Sequence, residues 1–381
     1  MTTVFITIPW FSPAFKAGGP IQSIANMVNT LNEDYLFYIY TSNEDLHGQP
    51  IAITQTDQWV EYNEYTKVWY AGKRDRSQHL IDQVEAVKAD VLYIIGLFDW
   101  HYNIVPLLYA KSARKILSVR GMLHPGALTQ KSLKKKIFLQ LLKWMNIREK
   151  TAFHATDEEE AGFIQNTMGP VKAVYTAANF PRLLEVQPLP QKKAGELSMI
   201  SVGIISPMKN YLLVLQALQH VKATVHYSIY GPVKENAYWE DCLRQIQQLP
   251  VNIRVVYHKE LLPHKLPEKL TCNQLFVLPS KSENYGHAIA EALSAGLPVL
   301  TSESVPWTGL REAKAGDNIV PGEKSIAESI EYFAAMDAAA FAIYSAGAAA
   351  YIRAKVNVEA LKADYHFLKE VSSPVTAMTG Q

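Results

Sequence analysis

At 381 residues the chain is too long for one ordinary domain and about right for two of ~190 residues each. With 48% hydrophobic and 19% charged residues it can bury two cores, which excludes bulk disorder. A net charge of +1 carries no global signature of a nucleic-acid partner, and none is expected.

The N-terminal run MTTVFITIPWF reads as a first strand rather than a signal peptide. A strand is expected over 4–11, a loop over 12–20 and a helix over 21–31. Further strands are expected at 36–41, 67–70, 91–98, 116–119, 152–155 and 172–175, with helices at 77–89, 105–112, 133–147 and 157–167. Even the longest apolar runs, such as 91–98, are less than half the ~20 residues that span a bilayer. Near-continuous apolar strands alternating with helices imply a parallel sheet covered on both faces.

An aperiodic stretch, 181–196, holds Pro181, Pro188 and Pro190 and reads as a linker. The alternation then restarts, with strands expected at 197–203, 225–230, 252–257, 274–279 and 298–301 and helices at 211–220, 237–248 and 287–295. The Ala-rich stretch 334–355 reads as one helix, a further helix follows at 358–371, and the tail from Ser372 is expected to fray. The expected architecture is α/β, with two doubly wound domains over 1–185 and 190–363 and a last helix, 364–381, packing back on the first. Cys242 and Cys272 form no disulfide framework or metal-ligand cluster, which suits a reduced, cytoplasmic setting.

Ligands of open parallel sheets bind beyond the carboxyl ends of the strands, so the loops that follow strands matter most. The loop 12–20 holds Lys16 and the pair Gly18-Gly19 just before a helix, where backbone N–H groups can approach an anion; a plain turn fits equally. No G-x-G occurs, which argues against a dinucleotide oxidoreductase. In the loop 204–210, Lys209 sits near a helix start, either as a point charge for a phosphate or as a solvated lysine. The third loop lies in PSKSENYGHAIAEALSAG. Glu283 precedes a helix start, Gly286 permits close backbone approach, and Glu291 follows about a turn and a half into the helix. Such carboxylates suit the vicinal hydroxyls of two sugar rings. The plainer reading makes Glu283 a complement to the helix dipole and Glu291 a surface charge.

Glu283-x7-Glu291 in this setting resembles the Glu-x7-Glu signature of retaining glycosyltransferases of family 4, which have the GT-B fold of two Rossmann-like domains facing each other across a cleft. ISPMKN (205–210) resembles their diphosphate loop, GGP (18–20) their first N-domain loop, and VPWTGL (305–310) the loop after the next strand. RGMLHPGAL (120–128) resembles a stretch common in a polysaccharide-assembly branch, and HATDEEE (154–160) the last N-domain strand and its helix. The likeness covers roughly residues 1–320.

It implies a nucleotide-sugar donor, with UDP- and GDP-sugars both open, and a glycan or lipid-linked acceptor bound by the N-terminal domain. Lys209 would stabilise the departing diphosphate. Glu283, with the backbone of Asn284, Tyr285 and Gly286, would hold the transferred sugar, and Glu291 the ribose hydroxyls. Gly18 and Gly19 would approach the diphosphate, and His287 would lie at the donor. Two positions depart from the pattern. Ile204 replaces an arginine that pairs with the diphosphate, for which Arg120 is the candidate substitute. His258-Lys259 stands where a glycine usually follows the third strand of the second domain. No Asp-x-Asp occurs, so no metal-held diphosphate is expected. Alternatives are a non-catalytic GT-B scaffold, motivated by Ile204, or another GT-B enzyme such as a sugar-nucleotide epimerase or phosphorylase. His124 is a weaker candidate, with no partner visible in sequence.

In the segment 130–150, Lys131, Lys134, Lys135, Lys136, Lys143, Arg148 and Lys150 are opposed only by Glu149. Leu133, Ile137, Leu141 and Trp144 recur at helical spacing. This is either a helix whose apolar stripe enters the core or one that lies on the inner face of the membrane.

Overall fold

The structure, a computed structural model, describes residues 1–369 apart from 54, 112, 126, 127 and 129–131. The chain divides into two compact units. One comprises Met1–Ala14, Ile24–Phe180 and the described part of Val358–Gln381; the other comprises Phe15–Ser23 and Pro181–Asn357.

The described residues of the first unit form a sheet of eight strands: β1 (Thr2–Thr7), β2 (Tyr35–Ser42), β3 (Trp59–Asn63), β4 (Thr66–Ala71), β5 (Val91–Ile95), β6 (Arg114–Ser118), β7 (Ala152–Ala155) and β8 (Val174–Thr176). Their order is β8-β7-β6-β5-β1-β2-β4-β3. Every residue of β5 is buried, as a central parallel strand covered on both faces requires. Alternate side chains serve two cores: Phe5, Leu92 and Leu117 on one face, and Val4, Ile6, Tyr93 and Ile116 on the other. Tyr365, Phe367 and Leu368 join the latter core, and the Tyr365 carbonyl accepts from the Tyr35 hydroxyl at 3.1 Å. The expected tail beyond residue 369 lies outside the described residues.

Two sequence expectations are corrected in these elements, and one left open is decided. The first sheet is not wholly parallel, because β3 pairs antiparallel with β4 at an edge. Its half-exposed pattern lacks the apolar run that marks the buried strands. The Ala-rich stretch is not one helix: Glu323–Ala335 ends before Met336, and Ala338–Lys355 restarts behind Asp337, whose carboxylate accepts from the Ala340 N–H at 2.8 Å. The extended backbone of Met336 (ψ 138°) ends the first helix, and the N-cap aspartate starts the second. Finally, the stripe Leu133, Ile137, Leu141 and Trp144 on helix Ser132–Trp144 is exposed, and Leu139 and Leu142 enter the core instead. Helical spacing defines a face but not what covers it.

The second unit is an all-parallel six-stranded sheet: β9 (Glu196–Val202), β10 (Thr224–Tyr230), β11 (Ile253–Tyr257), β12 (Leu275–Leu278), β13 (Val299–Ser302) and β14 (Gly316–Ile319), in the order β11-β10-β9-β12-β13-β14. Strand order reverses between β9 and β12, which pair through Met199–Leu275 and Ile200–Phe276. That reversal is the topological switch point, where doubly wound sheets bind ligands beyond their carboxyl ends.

Close backbone packing supports that end of the sheet. Gly231, just past β10, has φ +148°, and a Cβ there would lie 1.9 Å from the Gly203 carbonyl oxygen. Gly231→Ala is therefore expected to destabilise the protein by about 3 kcal/mol, a fall in Tm on the order of 10 °C. Gly162→Ala, in helix Glu158–Met168 with nothing within 4 Å of its Cβ position, serves as the control and should leave Tm unchanged or slightly higher. Equal thermal unfolding of the two variants would contradict this account.

Candidate functional site

The loops leaving β9 and β12 carry the two most charged candidates, and a backbone bond joins the loops: the Lys281 N–H donates to the Met208 carbonyl at 2.8 Å. Lys209 Nζ lies 2.5 Å from Glu283 Oε1, and the Ser280 hydroxyl donates to the same oxygen at 2.6 Å. Ser280 is itself held, its carbonyl accepting from the Ser302 hydroxyl at 2.5 Å. The Lys209 and Glu283 side chains are only 22% and 10% exposed, so neither a solvated lysine nor a simple helix-dipole charge describes them. Asn210 follows in the left-handed region at φ 64°, a conformation asparagine tolerates, and helix Tyr211–Leu218 begins directly after it.

The segment around Gly286 is equally constrained. Gly286 has φ 76°, and a Cβ there would lie 3.3 Å from both Ile289 and the Trp307 indole nitrogen. That nitrogen donates to the Tyr285 carbonyl at 2.5 Å, and the Tyr285 and Trp307 rings meet edge to face at 5.3 Å. The Tyr285 and His287 rings lie 4.8 Å apart. Asn284 is carried between these fixed points. Among the described residues no side chain caps helix His287–Ser294 at its start, an arrangement in which an anion can satisfy first-turn N–H groups.

Glu291 sits in this helix and is buried, 5% exposed, which corrects the surface-charge reading. Burial pushes its carboxyl up to about 7, with the Arg182 guanidinium pulling weakly the other way.

Phe15–Ser23 belongs to the same unit. There Lys16 pairs with Glu260 at 3.1 Å. Gly18 has φ +76° with a Cβ position 3.3 Å from Ile204 Cδ1, and the corresponding position at Gly19 is 3.9 Å from His287 Cδ2. Gly18, Gly19, Ile204 and His287 are thus neighbours. After β11, His258 stacks on Tyr230 at 4.6 Å between centroids, and Lys259 takes φ 62° while its carbonyl accepts from Gly231 N–H at 2.7 Å.

Arg120 lies in the first unit. Its guanidinium donates to Asn179 and, at 2.9 Å, to the Tyr93 hydroxyl, which in turn bonds His154 Nδ1 at 2.6 Å. His154 Nε2 is 2.8 Å from the Ala177 carbonyl. Burial, reinforced by Arg120, pushes the His154 imidazole down to about 3, so it is neutral at physiological pH. His124 packs edge-on against Phe163 at 5.1 Å.

The structure therefore brings Lys209, Glu283, Asn284, Tyr285, Gly286, His287 and Glu291 together in one unit, and holds Arg120 in a polar network of the other. Sequence reasoning missed Ser280, Trp307 and Arg182 as site residues. Ser280 ends the PS pair just after an apolar strand, a readable signal; Arg182 lies in what reads as linker and has none. Among the described residues no group of three or more His, Cys, Asp or Glu is placed to hold a metal ion.

Comparison with solved structures places the fold. The chain is similar to sucrose-phosphate synthase from Thermosynechococcus elongatus (TM-score 0.70, 15% identity, 97% of this chain and 98% of that one). It is likewise similar to Anabaena HepE in complex with UDP-glucose (TM-score 0.69, 14% identity, 97% and 100%). A third is WaaG, a glycosyltransferase involved in lipopolysaccharide biosynthesis (TM-score 0.63, 11% identity, 95% and 97%). At these identities the likeness establishes the fold: two Rossmann-like domains of the GT-B glycosyltransferase type. Residues 187–340 match the family model described as glycosyl transferases group 1. No curated protein sequence matches the chain.

Proposed function

We propose that this protein is a metal-independent glycosyltransferase of the retaining family 4 type. It moves a sugar from a nucleoside-diphosphate sugar to a hydroxyl of a glycan or lipid-linked acceptor in cell-surface polysaccharide assembly. The observation that carries the reading is the Lys209–Glu283 pair at the β9–β12 switch point, with Glu291 buried a turn and a half behind it.

Breaking the anomeric bond puts charge on the departing diphosphate and leaves an oxocarbenium-like sugar. Lys209 Nζ supplies a fixed positive charge for the first, and the start of helix His287–Ser294 adds first-turn N–H groups. Both Lys209 and Ser280 engage Oε1 of Glu283, and we assign Oε2 to a hydroxyl of the transferred sugar. Glu291 takes the ribose hydroxyls, and Gly18 and Gly19 admit the diphosphate backbone-first beside Ile204. The UDP-glucose complex of HepE favours a UDP-sugar, and the role of WaaG in lipopolysaccharide biosynthesis favours a surface-glycan acceptor.

A thermal-shift panel of UDP, GDP, ADP, CMP and NAD, each with and without EDTA, tests this. One nucleoside diphosphate at 100 times its Kd should add about 2.7 kcal/mol, unaffected by EDTA. Silence across the panel would move the non-catalytic scaffold, motivated by Ile204, to first place.

A further inference from the structure

We propose that helix Ser132–Trp144 docks the protein on an anionic lipid surface through its solvent-facing apolar stripe. The helix is apolar on two faces, and the core uses only one. Leu139 and Leu142 are 6% and 2% exposed and belong to the core, and Lys135 lies over the Phe98 ring on that side. On the other face Leu133, Ile137, Leu141 and Trp144 are 71%, 56%, 52% and 82% exposed. At 3.6 residues per turn these four positions span about 80° of arc, a continuous strip rather than scattered apolar residues. Met145, 38% exposed, extends it at the C-terminal end. Four large side chains left in water on one face of one helix are unusual for a soluble surface and mark an interaction site.

Charge selects the occupant. Lys136 and Lys143 both lie along one border of the strip, and no acidic residue occurs between Ser132 and Arg148. Aliphatic residues with a tryptophan at one end and lysines along the border match the layering of a bilayer interface: chains below, indole at the boundary, ammonium groups among anionic headgroups. Among the described residues no single helix is long and apolar enough to cross a membrane, so the contact we infer is peripheral.

The test uses the full chain and sedimentation with vesicles. The protein should sediment with phosphatidylglycerol–phosphatidylcholine vesicles at low salt, sediment poorly with phosphatidylcholine alone, and be released by high salt. Lys136→Gln with Lys143→Gln should weaken the affinity by about 25-fold, roughly fivefold per lysine. Ile137→Ser, Leu141→Ser and Trp144→Ala together should abolish binding without altering Tm, because all three positions face solvent. Brominated lipid should quench tryptophan fluorescence in the wild type, and that quenching should drop in Trp144→Phe. No binding of wild type to anionic vesicles overturns the proposal, as does unchanged binding by the triple variant. A dimer that the triple variant dissociates, with no vesicle binding, would overturn it in favour of a second copy of the chain. Nucleotide thermal shifts are read separately, so failure here leaves the sugar-transfer reading intact.

Discussion

Replacing Lys209 with alanine is expected to lower kcat for sugar transfer by about 10²–10³, with a much smaller change in nucleotide affinity. In the proposed reaction Lys209 meets charge that grows on the diphosphate as the anomeric bond breaks, so its contribution is larger in the transition state than in the bound ground state. The substitution also leaves Glu283, 10% exposed, without its cation, at a stability cost of about 1–2 kcal/mol. A double variant, Lys209→Ala with Glu283→Gln, separates the two effects: it should regain the lost Tm and remain inactive. Initial rates and thermal unfolding of the wild type, the single variant and the double variant decide the matter. Retention of wild-type kcat by Lys209→Ala would remove this residue from the mechanism, and recovery of activity in the double variant would make the loss one of folding.

Glu291→Gln should abolish two pH dependences at once. The carboxyl is raised from an ordinary 4.5 to about 7 in the folded chain, so between those values the folded state holds a proton that the unfolded state has released. Stability from this group is fully present below about 4.5 and is lost as pH rises through about 7, a change of about 3 kcal/mol. The glutamine variant should be more stable than wild type above pH 7 by about that amount, and the difference should vanish near pH 4. Nucleotide binding runs the other way. Ribose hydroxyls donate to the carboxylate, so wild-type affinity should rise about tenfold from pH 6 to pH 8 relative to the variant, the comparison cancelling titration of the nucleotide's own phosphate. Calorimetric titration of the nucleoside diphosphate identified by the thermal-shift panel, at both pH values, measures this. Parallel pH profiles for the two proteins would take Glu291 out of the nucleotide site.

Much of the fold and of the candidate site is legible in the amino-acid sequence. The apolar runs of β5, β9, β12 and β13 mark buried parallel strands, and Glu283 and Glu291 stand out by their place in the third loop. The edge strand β3 is not legible, because a half-exposed strand lacks the apolar run that distinguishes buried strands. Nor is the break at Met336–Asp337, where an extended residue followed by a side-chain cap interrupts a stretch that alanine propensity favours as helix.

Local sequence by itself determined the two doubly wound domains and which loops carry charge, because periodicity and turn chemistry act over a few residues. Only tertiary structure decided what those charges meet. Lys209 and Glu283 are 74 positions apart and share an oxygen with Ser280; Glu291 is buried rather than solvated; Arg120 is bound to Tyr93 and Asn179. The apolar stripe of Ser132–Trp144 makes the same point: its spacing is written in the chain, but that it faces water depends on the competing face formed by Leu139 and Leu142 filling the core first. Burial and pairing belong to segments distant in sequence, and only the packed fold sets them.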